Sequence, residues 1–248
     1  MSSSKITEER DLEWPFPGRR YPTRDDPDYL GSKGLAITLR KAIEVELAGK
    51  RDLDILDVGC GEKPFYPFFK PYSKSYIGTD IIQSSPLVDR ICPVEALAAE
   101  DESADVVICL SVLEHVNDPA RAVKELYRAV RPDGVVFAST HGCFPWHPHP
   151  QDHWRWTQTG LPLLFKNDGG FSQVELFATR GTISGIFFLL AHYSQWWADR
   201  KGWRWRLKSP ITILLNRVGE FLDDRSPMLR DLNQRVTAIP EFFVIARR

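Results

Sequence analysis

The sequence predicts an α/β fold, a mostly parallel sheet with helices on both faces. Three observations carry that expectation. Short apolar runs alternate with stretches of helical periodicity through the first half of the chain. The run 105–110 (DVVICL) is almost continuously apolar, as a strand buried on both faces must be. The run 53–58 (LDILDV) ends in Asp57 and turns at once through Gly59 and Gly61, where glycine lets a ligand approach the backbone at a strand's carboxyl end.

The elements follow in order. Residues 1–31 are rich in Pro, Arg and Asp and read as an irregular arm. Residues 32–48 place Leu35, Leu39, Ile43 and Leu47 at helical spacing and predict an amphipathic helix. Strands are expected at 53–58, 75–79 (SYIGT) and 105–110. Asp118 followed by Pro119 has the chemistry of an N-cap and first helical residue, so a helix should run through ARAVKELYRAV and stop at RPDG. The next strand is expected at 135–139 (VVFAS). Two more, 171–178 and 241–246, belong at the C-terminal edge, and between them 182–226 reads as a mostly helical, aromatic insert. No internal repeat is present.

The 248 residues suit one α/β unit, and 43% apolar content supplies a core. A formal net charge of −1 gives no basic field, so no nucleic-acid partner is expected. Cys60, Cys92, Cys109 and Cys143 form no CxxC pair and read as reduced thiols in or beside strands. The start of the chain is polar, without an apolar signal core, and no apolar stretch of about 18 residues exists to span a membrane. These features predict a cytoplasmic protein.

About 20 residues beyond the glycine turn, a second strand ends in Asp80, placed to accept hydrogen bonds from a ribose diol. Glu95 follows as a third acidic landmark in CPVEAL. The stretches DVGCG, GTDI and VEALAAEDESADVVICLSVLEHVNDPARAVKELYRAVRPDGVVFAST, in this order and spacing, resemble a class I S-adenosylmethionine-dependent methyltransferase over roughly residues 50–180. The resemblance implies a Rossmann-like, seven-stranded sheet with the helical insert before the last strand, a methyltransferase domain over 32–248, and S-adenosyl-L-methionine as cofactor. It also implies residue roles. Asp57, Gly59, Cys60 and Gly61 would line the methionine and ribose portion. Asp80 would hold the ribose hydroxyls, with Ile81 against the adenine. Val94, Glu95 and Ala96 would border the adenine edge, and Leu110 and Ser111 would sit under the sulfonium. Two positions depart from the family pattern. Lys63 and Pro64 replace the third glycine of the first motif, which bears on how the loop grips the methionine carboxylate, and Asp133 alters a turn before the fifth strand.

After that strand comes FPWHPHPQDHWRWTQTG, 144–160, in the loop that faces the methyl acceptor in the family. Transfer to a hydroxyl needs alignment and a destination for the proton. His153, Asp152 and His115 are the candidate bases, histidine because its ordinary pKa lies near neutrality. His147, His149, Trp154 and Arg155 are candidate acceptor contacts, the indole for stacking and the guanidinium for an anion. Structural alternatives stand beside these: Arg155 pairing with Asp152, Trp156 filling the core, Thr157 capping a helix, His115 packing beside the cofactor. His141, His147, His149 and His153 could together form a metal site, but their spacing matches no recognised zinc pattern, and no metal is expected. The finer pattern HPHPQDHWRWTQTGLPLLF is similar to a signature of a subgroup associated with bacterial polysaccharide and glycoconjugate synthesis, whose members also carry CGEKPF-like first motifs. That likeness implies that Asp152, Trp154, Arg155 and Thr157 form one unit.

The insert at 183–208 runs from apolar to aromatic to basic, with Trp196, Trp197, Trp203 and Trp205 among Arg and Lys. This is the composition of an interfacial anchor, and equally of a lid packed on the sheet with a solvated basic end. The expected activity is O-methylation of a sugar, glycolipid or polysaccharide intermediate, with peripheral membrane contact through 183–208. The alternatives are a quinone or phenolic acceptor, and a non-catalytic cofactor-binding subunit.

Overall fold

A computed structural model describes residues 12–148, 150–200, 205–226, 232 and 237–248, the stretch 205–209 by its backbone alone. Seven strands form one sheet in the order β3-β2-β1-β4-β5-β7-β6. They are β1 (Leu53–Val58), β2 (Ser73–Asp80), β3 (Arg90–Ile91), β4 (Ala104–Leu110), β5 (Val130–His141), β6 (Gln173–Ala178) and β7 (Glu241–Arg247). β1 pairs in parallel with β2 and β4, and β4 with β5, while β7 runs antiparallel between β5 and β6. The strand order reverses between β1 and β4, which opens a crevice beyond their carboxyl ends.

Alternating residues of the central strands feed two cores. Leu56, Val107, Val136 and Val244 pack with Val123 and Leu126 of α2 (Pro119–Ala129). Ile55, Ile108, Phe137 and Phe243 face the other way, against Leu35, Leu39 and Ile43 of α1 (Tyr29–Glu46). Asp118 caps α2 as its sequence predicts, its Oδ1 accepting from Arg121 N at 3.0 Å. Such a cap stabilises by about 1 kcal/mol.

The irregular arm requires correction. Residues 1–11 lie outside the described part, but Pro17–Arg20 form a helical turn and α1 opens at Tyr29. The cause is Arg20, 3% exposed, whose guanidinium donates to the carbonyls of Trp14, Pro15 and Pro64. These bonds, with Trp14 Nε1 donating to Lys63 O at 2.8 Å, pin the arm onto the loop after β1. The fifth strand also starts earlier than expected. Asp133, at φ 63°, forms an irregularity inside β5 instead of a turn before it, and the register with β4 shifts there.

The insert comprises α3 (Thr182–Arg200) and α4 (Trp205–Asp224), packed against each other. Asp223 accepts from the backbone N–H of Gly181 and Ser184 and so satisfies the start of α3. Glu220 accepts from Arg24, Tyr29 and Lys33, which ties α4 to the arm and α1. Phe188 of α3 packs against Phe144, ring centroids 5.0 Å apart, bringing the insert to the loop after β5. On its outer side α3 exposes Ile186, Leu190, Tyr193, Trp196 and Trp197. Trp203 and the Trp205 side chain lie outside the described residues. No helix among the described residues is long and apolar enough to cross a membrane.

Candidate active site

The crevice at the switch point has two lobes. One, of about 360 Å³, is lined by Asp57, Cys60, Gly61 and Leu110; the other, of about 500 Å³, by Asp80, Ile81, Val94, Glu95 and Ala96. They share Gly59 and Ser111. All eleven residues expected to touch the cofactor therefore lie on this wall, methionine-side residues in one lobe and adenosine-side residues in the other. A larger cavity of about 800 Å³ lies between α1 and the β6–β7 edge, away from these strand ends.

Local chemistry shapes the wall. Gly59 is required by crowding: a Cβ there would stand 2.3 Å from Val112 Cγ2. Gly61 has φ +49° and open space where its Cβ would point. Burial pushes the Asp57 carboxyl up to about 6, while Tyr76 OH donates to its Oδ2 at 2.7 Å. Asp80 Oδ2 accepts from Gly61 N at 2.9 Å and Oδ1 from Ile81 N at 2.7 Å. Each oxygen keeps a lone pair for a diol. Glu95 Oε1 accepts from Asn117 N at 3.0 Å, which moors the loop after β4 to the adenosine-side lobe. Lys63 does not reach the methionine-side lobe; its Nζ pairs with Asp89 at 2.5 Å. Phe16 and Arg19, marked by no local pattern, line that lobe because the arm is docked.

Ser111 sits where the lobes meet, in a left-handed conformation (φ 55°) of the kind that carries strain at functional sites. Its N–H donates to Ser139 O at 3.0 Å and its Oγ to Glu241 Oε1 at 3.3 Å. The register of β5 with β7 sets Glu241 opposite His141. Burial pushes Glu241 up to about 7. Glu114 has no exposed surface, and burial pushes it up to about 8 although Thr140 Oγ1 donates to it. Burial drives His141 down to about 2, so it is neutral.

The loop after β5 straps across this cluster. His153 N and Trp154 N donate to Glu114 O at 2.8 and 3.2 Å, and Trp156 N donates to His141 O at 2.9 Å. His115 Nδ1 donates to Gln151 O. Several expected roles change here. Asp152 is not placed as a base. Its side chain is fully buried, Arg155 grips both oxygens at 2.5 and 2.6 Å, and His147 N donates to it at 3.0 Å. Burial alone would raise this carboxyl, but the guanidinium and the N–H hold it well below the usual range. Arg155 is not free for an anionic acceptor, because it also donates to the carbonyls of Phe144, Pro145 and Trp154. His153 is exposed, bonds Gln151 Oε1 at 2.9 Å and lines neither lobe. Trp154 anchors through Nε1 to Val116 O at 2.8 Å and leaves 38% of itself exposed. Trp156 packs on the core, and Thr157 Oγ1 accepts from Gly160 N at the start of a helical turn. His115 and His147 join the cluster, ring centroids 5.0 Å apart, and His115 also lines the adenosine-side lobe. His149 lies outside the described residues. In the sequence, His141 figures only as one of four possible metal ligands, and Glu114 and Glu241 are passed over. Glu114 stands directly before His115 in LEHV, and Glu241 is the one charged residue opening an apolar run, but neither signal reports burial or partners.

The profile of the methyltransferase-domain family matches residues 35–204, and the chain belongs to that family. Over 110 residues it is 38% identical to a ubiquinone biosynthesis O-methyltransferase of Pseudomonas putida, covering 39% of this chain and 46% of that one. The corresponding protein of Pseudomonas fluorescens is 37% identical over the same coverage. The chain spans about half the length of these curated relatives. Among solved structures, a SAM-dependent methyltransferase from Archaeoglobus fulgidus has a TM-score of 0.53 at 14% identity, over 94% of this chain and 98% of that one. Haemonchus contortus phosphoethanolamine N-methyltransferase 2, solved with phosphomonomethylethanolamine and S-adenosylhomocysteine, has a TM-score of 0.53 at 14% identity, over 94% and 59%. At such identities the likeness is one of fold. The chain carries a methyltransferase domain with the class I fold, whose cofactor is S-adenosylmethionine. Its crevice fits that cofactor: both lobes are of ligand size, Gly61 leaves an open cradle, and Asp57 and Asp80 offer carboxylates at opposite ends.

Proposed function

We propose that this methyltransferase acts on a hydroxyl oxygen, with a phenolic or quinol-type ring as acceptor. The observation that carries the reading is His115. Its Nδ1–H is committed to Gln151 O, so Nε2 presents a lone pair 3.9 Å from the buried Glu114 carboxyl, at the edge of the crevice. A neutral imidazole held in one tautomer, with a carboxyl beside the nitrogen that gains the proton, is suited to take a hydroxyl proton. Likeness to ubiquinone biosynthesis O-methyltransferases supports a ring acceptor, although it covers less than half of each chain.

S-adenosylmethionine, when bound, supplies a methyl group activated by its sulfonium. The chain's own task is positioning. Asp57 and Arg19 would hold the amino and carboxylate groups of the methionine end, and Asp80 the ribose hydroxyls. Ser111, fixed by Ser139 and Glu241, would border the reacting centre. The Asp152–Arg155 pair would keep the loop, and with it His147, in place. The intact crevice beside a proton-accepting group weighs against a non-catalytic subunit.

A second reading, a sugar or lipid-linked glycan acceptor, rests on Trp146, 74% exposed, and on the exposed apolar stripe of α3. Flat indoles stack on sugars, and the stripe suits an amphiphilic surface. The test is S-adenosylhomocysteine release with a panel of dihydroxylated aromatics, nucleotide sugars and amines. Turnover on the aromatics is expected. Turnover on sugars alone would move the acceptor to the second reading, and turnover on amines alone would overturn the hydroxyl assignment.

A further inference from the structure

Beside the crevice, ligand atoms of Glu114, His115 and His147 lie within 4.8 Å of one another, and His141 stands against Glu114 with a buried ring nitrogen that makes no hydrogen bond. Glu114 Oε1 is fully buried without a hydrogen-bond partner, its Oε2 already serving Thr140. His141 Nδ1 is also buried and unpartnered, 3.3 Å from that oxygen, on a residue 6% exposed. Buried polar atoms are normally satisfied, so two orphans facing each other call for an explanation. Two ligands each about 2.1 Å from a tetrahedral ion lie about 3.4 Å apart. His115 Nε2 lies 3.9 Å from the same Oε1, and a donor atom of His147 comes within 4.8 Å of those of Glu114 and His115.

The surroundings match a coordination site. His115 Nδ1 is committed to Gln151 O. His147 Nδ1 lies 3.2 Å from Asp152 Oδ2, and Arg155 fixes that carboxylate. Metal-binding histidines carry such partners on the nitrogen that does not bind, which fixes the tautomer and orients the ring. Side-chain exposure rises from 0% at Glu114 to 15% at His115 and 31% at His147, a path from solvent with room for an open position.

We propose that Glu114, His115 and His147 bind a divalent transition-metal cation of the zinc class, with a fourth position open. Two imidazoles and one carboxylate suit zinc, iron(II) or cobalt(II), whereas magnesium and calcium want oxygen ligands. Sequence spacing predicts no such site because the ligands come from the loop after β4 and the loop after β5. The binding claim does not depend on the acceptor; its purpose rests on the hydroxyl reading. An ion there would hold the acceptor oxygen and acidify its proton, which would leave to solvent water along the exposed His147 side, the His115 lone pair then serving by coordination in place of acting as the base.

The experiment uses full-length protein stripped with a chelator, titrated with Co²⁺ by visible spectroscopy and with Zn²⁺ by calorimetry. One ion per chain is expected. His115→Ala and His147→Ala should each weaken binding by about tenfold or more, and Glu114→Gln should weaken it at least as much. His147 sits on a half-exposed loop, so its variant tests the site even if a buried substitution fails to fold. No saturable binding, or binding unchanged in His147→Ala and in whichever buried variant folds, overturns the proposal. Calorimetry with S-adenosylhomocysteine on the same samples separates the claims. Cofactor-product binding without ion binding removes the metal site alone. Ion binding without turnover on any hydroxyl acceptor leaves the metal site standing and removes the acceptor reading.

Discussion

The cofactor crevice and the cluster proposed for the acceptor meet at Ser111 and His115, yet they are built in different ways. The crevice is a set of chain-local turns, each at the end of its own strand, and each legible as a short motif: Asp57 to Gly61, Asp80 and Ile81, Val94 to Ala96, Leu110 and Ser111. The cluster takes Glu114 and His115 from one loop, His141 from a strand end, His147 from a second loop and Glu241 from the last strand. Glu114, His141 and Glu241 are buried, and the chemistry of the cluster depends on tertiary partners. On the proposed function, the difference predicts that binding the cofactor and handling the acceptor can be separated by substitution. Each prediction below tests that separation.

The largest effect is expected at His115. His115→Ala should lower turnover by about 10²–10⁴-fold while leaving S-adenosylhomocysteine affinity nearly intact, as steady-state kinetics and calorimetry would show. Parallel loss of both would mean that the two regions are one. Next comes Asp80→Ala on the crevice side, which removes charge-assisted bonds to the ribose and should cost about 1.5–3 kcal/mol of cofactor-product affinity. Unchanged affinity would reject the ribose role.

Asp152→Ala should act on stability, lowering it by about 2 kcal/mol in denaturant unfolding, because it leaves a half-buried Arg155 without its partner. Reduced turnover with full stability would return Asp152 to a catalytic role. Asp57 carries a pH signature. Its carboxyl is raised to about 6, so it binds a proton as pH falls through that value and can no longer balance the methionine ammonium. Cofactor affinity should therefore drop by about tenfold from pH 7 to pH 5, and Asp57→Asn should remove the dependence. The smallest effect is expected for exposed Trp146. Its replacement by Ala should change stability by less than about 0.5 kcal/mol and act, if at all, on the acceptor KM.

How much was legible follows the same division. β1 has the bounds its apolar run predicts, and the Asp118–Pro119 cap starts α2 as expected, because both depend on neighbours in sequence. The arm was misread because Arg20 finds its carbonyl partners partly across the loop after β1. The start of β5 was missed because Asp133 tolerates a positive φ within a strand. Asp152 and His153 were chosen as bases for their chemistry, but a carboxylate gripped by Arg155 and an exposed imidazole tied to Gln151 are assigned by contacts that no local pattern encodes. Glu114 went unnoticed for the converse reason: a lone acidic residue in LEHV gives no sign that folding will bury it completely.

A crystal structure with S-adenosylhomocysteine tests the account most directly. The methionine end should lie in the lobe with Asp57 and Arg19, the ribose on Asp80, the adenine along Val94 to Ala96, and the sulfur beside Ser111, facing His115 and Glu114. Ligand in the cavity between α1 and the β6–β7 edge, or a sulfur turned away from the His115 cluster, would contradict it.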